Sequence, residues 1–353
     1  MKLFSHILQI IIFSGLLVAC RKSELEKPAP QPYRLPVPVN FPAPQYETYN
    51  PLTKEGIELG RQLFYDVRLS GNNKISCASC HHQNLAFSDG ISLTNIGVSG
   101  TTLSRHSPTL INMAWANNGL FWDGGSTNLE SQAFGPLTEH NEMGQNLFEL
   151  MDELKAVPGY ITAFKEAFDE DISSANVVKA LAQFQRTMVS ANSRYDKYVR
   201  KENGASLNKQ ELKGMVLVKQ KCQGCHSTDL FTDNLYHNNG IDNDFSNPGI
   251  DDLNFGRYRV SYNMKDMGAY KTPTLRNIML TAPYMHDGRF KTIEEVLNHY
   301  TENIKYSESL SPVLIQNGKI GITINNEEKQ QIIAFLHTLT DEDFISRKSL
   351  GKP

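Results

Sequence analysis

Four cysteines and two histidines in this 353-residue chain stand in a pattern that serves one chemistry. Cys77-Ala78-Ser79-Cys80-His81 and Cys222-Gln223-Gly224-Cys225-His226 both read C-x-x-C-H. That spacing is the attachment signature of haem c: two thiols add to the vinyl groups of one porphyrin, and the adjacent His reaches the iron. A zinc site made of Cys77, Cys80, Cys222 and Cys225, or a disulfide within each pair, would use the same sulfurs. Both leave the His after each second Cys unexplained. Two covalently bound haem c groups account for four of the five cysteines.

The fifth, Cys20, belongs to the leader. Lys2 is followed by an apolar run from Ile7 to Val18, which ends Leu17-Val18-Ala19-Cys20. The run is short for a membrane span and reads as a signal peptide over residues 1–20, with Cys20 becoming a lipidated first residue. The expected location is outside the cytoplasm, on the periplasmic side, held to a membrane through lipid alone. Between Pro28 and Pro51 lie eight of the sixteen prolines, with few large apolar residues. Residues 21–50 therefore read as an extended, semi-rigid tether. The alternative is that its second half, around Tyr46 and Tyr49, packs along the first domain. A net charge of -3 leaves no broad basic footprint for nucleic acid.

The elements that must position the two motifs are helical. Residues 52–65 place Ile57, Leu59, Leu63 and Phe64 at helical spacing before the first motif, and residues 207–221 lead into the second. Asn208 with Glu211, and Thr292 with Glu295, have the spacing of capping boxes. Further helices are expected over 158–168, 175–191, 292–301 and 327–339, with strand signals only at 258–261 and 319–324. The fold class is mostly α, with two cytochrome c-like haem domains over 51–200 and 201–345. The polar stretch 201–206 joins them.

The order of motifs resembles the bacterial di-haem cytochrome c peroxidase family, which includes the MauG enzymes. The resemblance spans roughly residues 50–340. It is carried by Arg105-His-Ser-Pro-Thr-Leu, Phe121-Trp-Asp-Gly, Glu130-Ser-Gln-Ala-Phe-Gly-Pro, Glu142-Met-Gly, Tyr270-Lys-Thr-Pro-Thr-Leu-Arg-Asn and Ala282-Pro-Tyr-Met-His-Asp-Gly. It implies that His81 is the proximal ligand of the iron that meets hydrogen peroxide and His226 that of an electron-relay haem. Trp122 matches the family's tryptophan between the haems. Gln132 and Glu142, ten residues apart, match its distal pair: Gln132 orienting peroxide, Glu142 moving its proton. Glu139 is a neighbouring carboxylate that competes for that role.

Three positions depart from the family pattern. Many members carry a distal His where this chain reads Ile96-Gly97-Val98. Val98 cannot ligate iron, so the first haem is expected without that lock, unless His106 or His140 fills the place. Counting on from His286 to the position of the second haem's sixth ligand reaches Tyr300, with Met285 and His299 as alternatives. The resemblance also implies a Ca²⁺ held partly by backbone carbonyls, which Thr281 and Pro283 match. The family's side-chain donor there is Asn, and here it is His106, a poor calcium ligand. The acidic run 242–252 does not have EF-hand spacing and reads as a solvated loop.

The function expected is reduction of hydrogen peroxide to water, with electrons from an exported small cytochrome c or cupredoxin. A MauG-like enzyme oxidising residues of a protein substrate is the alternative, favoured by Val98 and Tyr300. A non-enzymatic di-haem electron carrier is a third, opposed by Gln132 and Glu142. Dimerisation is an expectation carried by the resemblance alone.

Overall fold

The computed structural model describes residues 29–44, 48–246 and 252–353. The leader and Cys20 lie outside them. Eleven helices among the described residues build two bundles, each with its own apolar core.

The first bundle contains α1 (Lys54–Phe64), α2 (Leu129–Thr138), α3 (Leu147–Lys155), α4 (Pro158–Phe168) and α5 (Ser174–Arg186). Thr53 caps α1 by accepting from the Gly56 N–H, and Leu59, Leu63 and Phe64 turn its apolar face inward. The second bundle contains α6 (Arg194–Val199), α7 (Lys209–Lys221), α8 (Tyr258–Ser261), α9 (Ile293–Asn298) and α10 (Asn326–His337). The capping boxes at Asn208–Glu211 and Thr292–Glu295 form as the spacing predicts. α11 (Glu342–Ser346) closes the chain.

The two bundles repeat one crossing. α1 meets α5 where a Cβ on Gly60 would lie 1.9 Å from the Ala180 carbonyl oxygen and 2.9 Å from Phe184 Cβ. α7 meets α10 where a Cβ on Gly214 would lie 1.8 Å from the Gln331 carbonyl oxygen and 2.8 Å from Phe335 Cβ. In each bundle the helix that leads into the C-x-x-C-H motif touches the bundle's last helix backbone to backbone, and only glycine permits that approach.

Several expectations need correction. Residues 258–261 form the short helix α8, not a strand; Tyr262, at φ 54, takes the left-handed cap that ends it. Only Lys319–Ile320 of the second strand signal is paired, as β4 against β3 (Ile315–Gln316). β1 (Tyr236–His237) and β2 (Tyr270–Lys271) form the other antiparallel pair. The helix expected over 292–301 changes pitch: α9 stops at Asn298 and His299–Asn303 continue as one π-helical turn.

The bundles also exchange segments. Tyr195 on α6 lies in the second core, while Phe344 and Leu350 return to the first. The Pro-rich stretch is bound along residues 29–44: Leu35 and Phe41 are buried with Trp115 and Leu230, which brings both halves of the chain under one strap. Phe41 meets Trp115 edge to face at 5.2 Å, and Trp115 Nε1 donates to the Pro42 carbonyl at 2.7 Å. A few apolar side chains suffice to dock this segment because proline has already restricted its backbone. Among the described residues, no helix is long and apolar enough to cross a membrane.

Candidate functional site

Each motif is built the same way. Cys77–Ser79 form a 3₁₀ turn, and the His81 N–H donates to the Cys77 carbonyl at 3.0 Å. The chain then bends through Phe87, held at φ 60, so that its carbonyl faces back to the ring: His81 Nδ1 lies 2.8 Å from Phe87 O. In the second motif the His226 N–H donates to Cys222 O at 2.9 Å, and Phe231, at φ 54, presents its carbonyl 3.1 Å from His226 Nδ1. Both imidazoles thus donate through Nδ1 and keep the Nε2 lone pair for a metal. Burial is the largest influence on both and holds them below the usual imidazole range, so the rings stay neutral.

The four thiols of these motifs are unpaired. Burial, the largest cause, pushes them up to about 11 or 12. The one cluster of potential metal ligands among the described residues is Cys225 with Asp233 and His237, not the four cysteines together. Neither a disulfide pair nor a four-thiolate zinc site is therefore formed. Paired thiols beside a His with a free Nε2 are the donor set of haem c, and the residues fit that group at both motifs.

A cavity of about 440 Å³ lies against the second motif. Cys222, Cys225, His226, Tyr300, Trp122 and Gln132 all line it. The structure thus brings the candidate relay tryptophan, the candidate distal glutamine and the second motif to one space, which Glu142 does not line. Trp122 is fixed by donating from Nε1 to the His106 carbonyl at 2.8 Å. Tyr300 sits in the π-helical turn, an irregularity that recurs at functional sites. Burial pushes its phenol up to about 12, while a hydrogen bond from the Asn239 side chain pulls it part of the way back. Met285 shares the cavity wall, and its sulfur accepts from Asn239 Nδ2 at 3.4 Å. His299 uses Nε2 on the Asn239 carbonyl at 3.0 Å instead.

Glu142 stands elsewhere, on the turn that follows α2, the helix carrying Gln132. Its N–H donates to Glu139 O at 2.9 Å, and its carbonyl accepts from the Val98 N–H at 2.7 Å. The carboxylate makes no hydrogen bond or ion pair with a described residue. Burial first, then the charge of Glu139, raises it above the usual carboxyl range. It belongs to the first motif's surroundings: after burial and Asp89, its charge is what pushes the Cys80 thiol up. Val98 therefore stands beside Glu142, with no ligating atom. The two alternatives do not replace it. His140 is exposed, and both nitrogens of the buried His106 are engaged: Nδ1 by Ile91 O at 2.7 Å and Asp89 at 3.2 Å, Nε2 by Ser88 Oγ at 3.3 Å.

That arrangement bears on calcium. Thr281 and Pro283 line the cavity with His106. A calcium ion takes six to eight oxygens, and the His106 side chain offers none and is already committed. The side-chain part of a calcium site does not fit here. Asp242 in the acidic run is paired with Arg289 at 2.8 Å.

The Asp89–His106 pair escaped sequence reading, because neither residue lies in a motif that calls for the other. Asp89 Oδ2 is buried without a hydrogen-bond partner.

Known proteins of similar sequence and fold point to one family. Residues 54–204 match the family model for di-haem cytochrome c peroxidase. The chain is 34% identical to methylamine utilization protein MauG of Methylorubrum extorquens, over 93% of this chain and 90% of that one. It is 33% identical to cytochrome c551 peroxidase of Nitrosomonas europaea, over 86% and 85%. The crystal structure of a MauG-like protein associated with microbial copper homeostasis superposes with a TM-score of 0.82 at 33% identity, over 91% of this chain and 99% of that one. Matched nearly end to end by relatives of this similarity, the chain belongs to the di-haem cytochrome c peroxidase family, in which MauG also stands.

Proposed function

We propose that this protein is a di-haem peroxidase that reduces hydrogen peroxide to two waters, consuming two electrons and two protons per peroxide. The observation that carries this reading is Glu142: a desolvated, unpartnered carboxyl on a turn whose backbone is hydrogen-bonded to Val98, and close enough to the first motif to act on Cys80. Two covalently attached haem c groups, held by Cys77, Cys80 and His81 and by Cys222, Cys225 and His226, supply iron coordination and electron storage when bound.

The chain's own residues do the rest. Phe87 O and Phe231 O fix the tautomer of His81 and His226 and make each a stronger donor through Nε2. Glu142 takes the proton from the near peroxide oxygen and returns it to the departing one, which requires the carboxylate at the start and the acid midway. Gln132, the other half of the expected distal pair, lines the cavity of the second motif instead, so no peroxide contact is assigned to it. Val98 leaves the peroxide side of the first haem without a protein ligand, so no ligand has to leave before peroxide binds. Trp122, pinned between the bundles, connects the two centres. Tyr300 is the proposed sixth ligand of the second iron, and calcium is at most weakly held at Thr281 and Pro283. Electrons come from an exported small cytochrome c or cupredoxin, with residues 51–200 forming the peroxide-reacting domain and 201–345 the relay domain. The leader reading places the mature protein on the periplasmic side, lipid-anchored through Cys20.

Tyr300 on the cavity wall favours a second reading. A phenolate ligand stabilises highly oxidised iron better than methionine does, which suits a MauG-like enzyme oxidising residues of another protein. Steady-state turnover separates the two readings: catalytic peroxide consumption with a reduced cytochrome supports the peroxidase. Turnover only when a protein substrate is added supports the second.

A further inference from the structure

Lys271 is a half-buried cation with no carboxylate paired to it, and it lines the cavity of the second motif. It lies on β2, opposite Tyr236 on β1, and lines the same 440 Å³ space as Cys222, Cys225 and His226. Its ammonium donates to two backbone carbonyls, Asn118 O at 3.2 Å and Asn234 O at 3.1 Å. No described carboxylate comes within the 4.0 Å of an ion pair. Asp233, the acidic group that acts on it, is taken by His237 Nε2 at 2.8 Å. Its other charged neighbour, Arg257, is a second cation: the guanidinium lies 3.9 Å from the Tyr236 ring centre and the Lys271 ammonium 5.2 Å. Desolvation and Arg257 together push the Lys271 amine down to about 8.

An ammonium drawn partly out of water, among carbonyls and beside a like charge, is costly unless a negative group joins it. The cavity is where that group must come from. Trp115, Trp122, Leu230 and Leu275 on its wall are apolar, so what enters is a largely apolar molecule bearing an anionic edge. We propose that Lys271 is the counter-ion of a haem propionate at the second motif. This rests on the haem reading above. The backbone N–H of Lys271 donates to the Trp122 carbonyl at 2.8 Å. One residue therefore ties the relay tryptophan to the charge state of the second haem, as a positioning residue for electron transfer.

The test uses the haem-loaded protein. Haem is first counted per chain, and the midpoint potentials of both haems are then read by spectroelectrochemical titration in wild type, Lys271→Gln and Lys271→Arg. Glutamine keeps an N–H donor for the two carbonyls and loses the charge; arginine keeps the charge. The expected result is two haems in each protein. Lys271→Gln shifts the second haem toward the ferric state, by roughly tenfold in the ferrous-to-ferric ratio at fixed potential, and Lys271→Arg restores it. The first haem is unmoved. Fewer than two haems in wild type overturns the haem reading and this proposal with it. Two haems with an unshifted Lys271→Gln overturns the proposal alone, as does loss of the second haem from both variants, which makes Lys271 a packing residue.

Discussion

Glu142 has lost water and gained a negative neighbour in Glu139, so it holds its proton to higher pH than an ordinary carboxyl. In its proposed role as the base that receives the peroxide proton, it must be ionised. The rate of the peroxide reaction is therefore expected to rise with pH through an apparent pKa above the usual Glu range. Glu142→Gln should lower turnover by about 10²- to 10⁴-fold and remove that limb, with haem content unchanged; a pH–rate profile of kcat/KM checks both. Val98 makes a separate prediction. The resting first haem should give a high-spin ferric EPR signal, and Val98→His should convert it to low spin and make activity depend on prior half-reduction. A resting spectrum that is wholly low-spin with two histidine ligands would remove Val98's role. Legibility at this scale was uneven. The candidate haem-holding residues were readable because attachment chemistry requires a fixed spacing. Asp89 and Lys271 were not, since their partners are brought to them only by folding.

At the scale of elements, the two glycine crossings define the bundles. A methyl on Gly214 would sit 1.8 Å from the Gln331 carbonyl, and neither backbone can move without separating α7 from α10. Gly214→Ala should cost about 3 kcal/mol or more, measured as a fall in denaturant midpoint. α1 was legible from its apolar spacing, α7 and α9 from their capping boxes, and α4, α5 and α10 as helical stretches. α2 was not, because Pro136 lies within it and its apolar residues do not fall on one face. α8 was misread as a strand because its β-branched and aromatic residues carry a propensity that local turn geometry overrides. The pitch change at His299 leaves no mark that a 3.6-residue pattern could detect.

At the scale of the whole molecule, straps hold the bundles together. The 29–44 segment crosses one face, and the C-terminal residues return to the first core: Tyr65 donates from its hydroxyl to Leu350 O at 2.7 Å. Under the strap Asp196 and Arg276, both without exposure, form a bidentate pair at 2.8 Å, with the Arg276 guanidinium 4.5 Å from the Phe41 ring centre. Phe41→Ala should cost about 3 to 5 kcal/mol and loosen the two bundles together, seen as one lowered thermal transition and earlier proteolysis of the strap. The strap was hard to foresee because proline-rich composition describes an isolated chain, while docking depends on what Trp115 and Leu230 offer it.

The proposed reduction of peroxide depends on Glu142 as the proton carrier. It is tested most directly by steady-state turnover of hydrogen peroxide by the haem-loaded protein with a reduced small cytochrome or cupredoxin. Two donor molecules are expected to be oxidised per peroxide consumed, with near-complete loss of turnover in Glu142→Gln at full haem content. Absence of turnover in the wild-type protein would contradict it.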